Sequence, residues 1–171
     1  MGKAMIGGLV AAAVLQGLVS AASAADTASQ NFIKEAIEGN LAEVQMGELA
    51  QKKGQSDGVR SFGKMLVDDH SAANEKAKSV ASQIGAAAPT EPNKKQKAMY
   101  DKMSKMSDNA FDREFAKDMV ADHKKDISEF EKEAKKKNDP AATFANDTLP
   151  TLRKHLETAQ GLTKGRTAAA H

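Results

Sequence analysis

The sequence predicts an all-α protein, with four long helices and one short extra helix between the second and third, on three observations. Apolar residues recur at three- and four-residue spacing along the chain beyond its first two dozen residues. No window shows the alternation, enriched in β-branched residues, that a strand requires. Turn and cap residues separate the periodic segments at Gly54-Gln55-Ser56-Asp57-Gly58, at residues 85–92 and at Asn138-Asp139-Pro140.

Residues 1–24 read as a signal peptide. Lys3 precedes an apolar run over 5–19, and Ala22-Ser23-Ala24 supplies the small-x-small pattern of a cleavage site between Ala24 and Ala25. The run is short and rich in Ala and Gly, so no stable membrane span is expected after cleavage, and no cysteine follows that could carry a lipid. The expected location is periplasmic or secreted. Residues 25–164 have the length of one domain, and 165–171 read as a flexible C-terminal tail.

The first long helix is expected over about 29–53, with Ile33, Ile37, Leu41 and Val44 on one face. The second carries Val59, Phe62, Leu66, His70, Ala73, Ala77, Val80 and Ile84 and stops near Gly85. Pro89 and Pro92 mark a linker into a short helix near 94–105, whose Met99, Met103 and Met106 share one face. Packing accounts for that stripe; a copper(I) site is the alternative reading. The third long helix, capped from Ser107-Asp108, presents Phe115, Met119, His123, Ile127, Phe130 and Ala134. The fourth starts near Ala141 and is expected to kink or restart at Asp147-Thr148 because Pro150 follows; Leu152, His155, Ala159 and Leu162 continue its inner face.

His70, His123 and His155 therefore interrupt three apolar stripes, each about halfway along its helix. Buried imidazoles must find partners or coordinate something, since an unsatisfied polar group costs on the order of 1–3 kcal/mol. An antiparallel hairpin brings residues equally distant from its turn to one height, at about 1.5 Å per residue. His123 and His155 are equidistant from the turn at 138–140, and the counterpart of His70 falls near residues 40–43. Glu43 matches that level, whereas Glu48 lies on the order of 10 Å further along the axis. The pattern Phe62-x-Lys64-x-x-Val67-x-Asp69-His70 recurs as Phe115-x-Lys117-x-x-Val120-x-Asp122-His123, so the two helices are expected to occupy equivalent places.

Composition narrows the function. With no cysteine, thiolate metal sites and thiol nucleophiles are excluded. The net charge of +2 falls to +1 without Lys3, charges of both signs are interspersed, and one Tyr with no Trp offers no stacking platform, so no nucleic-acid partner is expected. Lys135-Lys136-Lys137 reads as a solvated helix C-terminus. No nucleophile–base pair, phosphate loop or paired-carboxylate motif is present, and the reading leans away from an enzyme.

Four stretches, NLAEVQMGELA at 40–50, MLVDDH at 65–70, MVADHKKD at 119–126 and LPTLRKHL at 149–156, resemble the exported family catalogued as domain of unknown function 4142, which belongs to the ferritin-like superfamily. The resemblance implies an up-and-down four-helix bundle in which Glu43, His70, His123 and His155 match recurrent polar positions. Two-iron ferritin-like proteins need Glu-x-x-His motifs, yet Val67, Val120 and Leu152 stand three residues before these histidines. Bridging carboxylates are missing, which argues against di-iron oxidase or ferroxidase chemistry. The set Glu43, His70, His123 and His155 suits one divalent transition metal, zinc first, then copper, nickel or iron, with Glu48, Asp69, Asp122 and Asp126 as supporting or alternative groups. The competing expectation is a structural or protein-interaction bundle whose histidines are hydrogen-bonded core residues.

Overall fold

Helix ends leave backbone N–H and C=O groups unpaired, and side chains at the starts of the first three helices meet that need, whereas the expected cap Ser107 makes no side-chain bond to the start of the fourth. In the computed structural model, which describes residues 26–169, helix α1 (Thr27–Lys53) is capped by Asp26, whose carboxylate accepts from Ser29 N at 2.7 Å. Ser56 caps α2 (Asp57–Ile84) by accepting from Val59 N, and Asn93 caps α3 (Lys94–Ser104) in a reciprocal box with Gln96. α2 ends on Gly85, whose φ of 68° is left-handed and suits a residue without Cβ. α4 (Asp108–Glu133) and α5 (Pro140–Ala169) complete the fold. The described residues contain helices and their connections and no strand. The expected signal peptide and its cleavage point lie outside them.

α1 packs along α2, and α4 along α5, while α2 meets α5 and α1 meets α3 and α4. The α1–α2 approach is set by two glycines: a Cβ on Gly47 would stand 2.6 Å from the carbonyl oxygen of Gly63, and one on Gly63 equally close to that of Gly47. The α1–α2 turn is held by Asp112 of α4, whose carboxylate accepts from Gln55 N and Ser56 N. Lys53 Nζ donates to Ser104 O at 2.8 Å and ties α3 to the end of α1.

The core has two apolar halves. One contains Ile33, Ile37, Ala77, Ile84, Phe130, Phe144 and Leu152; the other contains Met46, Leu49, Val59, Phe62, Leu66, Phe115 and Met119. Between them along the chain of each long helix come buried polar residues: Asn40 and Glu43 on α1, His70 and Asn74 on α2, His123 on α4 and His155 on α5. This polar layer divides the core and positions the site.

Several expectations are corrected by the packing. The inner face of α1 turns through Asn40 and Glu43, leaving Leu41 and Val44 half-buried, because the polar layer takes the central positions. α5 does not restart at Asp147-Thr148. It runs through Pro150 as one helix, with Thr148 Oγ1 donating to Phe144 O at 2.8 Å. Lys136 is not merely solvated: its ammonium donates to Asp26, Ser29 and Glu133. Met103 is fully buried in the second apolar half with Met99 and Met106 packed against it, so packing explains that stripe.

Candidate metal centre

Three helices deliver one imidazole each to the polar layer, and neighbouring groups orient all three rings. His70 Nδ1 lies 2.9 Å from Asn40 Oδ1, so it donates and leaves Nε2 as the bare nitrogen. His123 Nδ1 donates to the carbonyl of Met119, one turn earlier on α4, at 2.9 Å, which again leaves Nε2 bare. On α5, His155 Nε2 donates to Asp69 Oδ2 at 2.9 Å and its Nδ1 is the bare nitrogen. Hydrogen bonds on the outer nitrogens thus fix the tautomers, as partners of metal-binding histidines do.

The three rings converge. His123 Nε2 and His155 Nδ1 face each other at 3.3 Å, and one ring nitrogen from each of the three histidines lies within 4.8 Å of the others. With a proton on each outer nitrogen, no proton remains to join the facing pair. Moving the His155 proton to Nδ1 would turn a lone pair toward the Asp69 carboxylate. A fourth proton is disfavoured because burial holds His70, His123 and His155 below the ordinary imidazole range, His123 at about 4. Mutual repulsion adds to this at His70 and His123, while Asp69 opposes it at His155. Zinc–nitrogen bonds of about 2.0–2.1 Å at a tetrahedral angle separate two ligand nitrogens by about 3.3 Å, so the facing pair fits such an ion. Buried Nε2 of His70 has no hydrogen-bond partner, so its lone pair is open to a ligand.

The carboxylates take different places. Glu43 is 3 % exposed, and its Oε2 lacks a hydrogen-bond partner, but the compact nitrogen group does not include it. Burial raises its carboxyl well above the usual range, and the neighbouring Asp122 and Asp126 push it further. Asp69 supports His155, whereas its repeat counterpart Asp122 faces α1, so equivalent sequence positions serve different helices. Asp126, driven up to about 7 by burial and then Asp122, lines a cleft beside His70, and Glu48 is exposed outside the polar layer. Asn74, buried with an unpartnered Oδ1, was not anticipated by the sequence reading. Its position four residues after His70 on the same helix face was the available signal.

A family model described as a domain of unknown function (DUF4142) matches residues 16–162. The chain belongs to this family. No curated protein and no solved structure matches it. The match spans His70, His123 and His155 together with Glu43, Asp69, Asp122 and Asp126, and the family description assigns no activity to them. No helix among the described residues is long and apolar enough to cross a membrane.

Proposed function

We propose that this DUF4142 chain is an exported, ferritin-like four-helix bundle that binds one transition-metal ion through His70, His123 and His155. The observation that carries the reading is the approach of His123 Nε2 and His155 Nδ1, 3.3 Å apart among buried residues, while the other nitrogen of each ring is engaged by Met119 O or Asp69. A cation between them converts a repulsive contact into coordination. Zinc is the first candidate because imidazole nitrogens suit it, followed by copper, nickel or iron. Glu43 is the candidate for the remaining protein contact, either directly or through water. Bound zinc with an open position acidifies the water held there. Val67, Val120 and Leu152 in place of bridging carboxylates argue against a two-iron centre. Export is supported by the apolar run over 5–19 and Ala22-Ser23-Ala24.

Elemental analysis of mature protein purified from a periplasm without an affinity tag tests this reading. Close to one metal ion per chain is expected, with loss in His123→Ala. Absence of metal after loading with zinc, copper and iron would instead leave the histidines as core architecture in an interaction module.

A further inference from the structure

Resting on that metal-binding reading, we propose that the cleft between α1 and α4 is the passage by which the cation reaches and leaves the buried imidazoles, drawn in by the carboxylates along its walls. The cleft has a volume of about 190 Å³. Exposed Glu35 and Lys125 stand among its lining, and so do buried Asn40 and His70, so it joins the surface to the polar layer. His70 is the member of the triad that lines it, and the bare Nε2 of that residue is the one without a partner.

The walls carry a cation-attracting charge. Glu35, Glu38, Asp122, Asp126 and Glu129 line the cleft against two ammonium groups, Lys34 and Lys125. Both ammoniums are engaged: Lys34 pairs with Glu38 at 2.8 Å and Lys125 with Glu129 at 3.2 Å. Asp122, Asp126 and Glu129 follow at spacings of four and three, so one face of α4 forms an acidic wall. A low-dielectric cleft with an excess of one sign of charge concentrates the opposite ion and speeds its capture.

Gly39 provides the test. It lies half-buried on the cleft wall, and a Cβ built there meets nothing within 4 Å, so a side chain can start from this position without striking the core. Cobalt(II) alone would be mixed rapidly with metal-free protein and its ligand-field absorption followed; release would be timed with excess chelator. In Gly39→Phe, association and release should slow by the same factor, with stoichiometry, spectrum and Kd unchanged, because a plug alters the barrier and neither end state. In the doubly neutralised Asp126→Asn/Glu129→Gln protein, association should fall about tenfold at low salt and lose most of its salt dependence. Unchanged rates in Gly39→Phe with cobalt still bound one to one would overturn the passage and leave the metal site standing. A changed spectrum or Kd in that variant would place Gly39 against the bound ion and also overturn it. Failure of the unaltered chain to bind cobalt would overturn both.

Discussion

A ring nitrogen is a ligand or a hydrogen-bond partner according to what its other nitrogen does, and at His155 that choice rests on Asp69. The Asp69 side chain is 39 % exposed, yet it accepts from a fully buried imidazole at 2.9 Å. Asp69→Asn keeps the size of the side chain and removes the charge that favours the Nε2 proton. The expected result is a fall in metal affinity of about 10- to 100-fold with the fold retained, read by competition against a chromophoric chelator. Imidazole identity and level were legible in the sequence, since three histidines interrupt three apolar stripes at matching distances from their turns. The identity of each donating nitrogen was not, because Asn40, Met119 O and Asp69 make that choice from other turns or helices.

Among the helices, α1 and α2 approach where Gly47 and Gly63 oppose each other. Adding a methyl at Gly47 places carbon 2.6 Å from a backbone oxygen and 3.0 Å from Val67 Cγ2, and the backbone cannot rotate aside as a side chain can. Gly47→Ala is therefore expected to destabilise the protein by about 1–3 kcal/mol, measured by urea unfolding, despite the better helix propensity of alanine. The internal repeat also has meaning at this scale. Its paired positions meet across the core, Phe62 against Phe115 with ring centroids 5.9 Å apart and His70 against His123 at the same separation. Helix limits at Lys53 and Gly85 followed from local cap chemistry, whereas the passage of α5 through Pro150 depended on tertiary packing of Leu149 and Leu152 on either side of the proline.

The whole molecule carries a buried polar layer between two apolar halves, which makes the stability of the metal-free protein depend on pH in two opposing ways. His123 titrates at about 4 when folded against 6.5 for an ordinary imidazole, so the unfolded chain takes up its proton first. That contribution is fully present above pH 6.5 and is lost as pH falls toward 4, by about 3 kcal/mol. Asp126, at about 7 when folded against 3.8, acts in the other sense: its contribution is present in acid and lost as pH rises through 7. Unfolding free energies measured from pH 4 to 7.5 should accordingly show a shallower acid loss in His123→Gln and a steeper one in Asp126→Asn. The all-α class, the turns and the common level of the histidines were legible from the residues in order, because hydrophobic period, cap residues and rise per residue are local properties. The exact rotation of each helix about its axis came from the tertiary packing: Asn40 is buried while Leu41 and Val44 are half-buried, Asn74 is buried, and Glu43 lies against Asp122. Such rotations are set by residues far away in the chain, as where Ser29 donates to Glu133 across 104 positions and fixes the start of α1 against the end of α4. No single helix contains the partners that determine them.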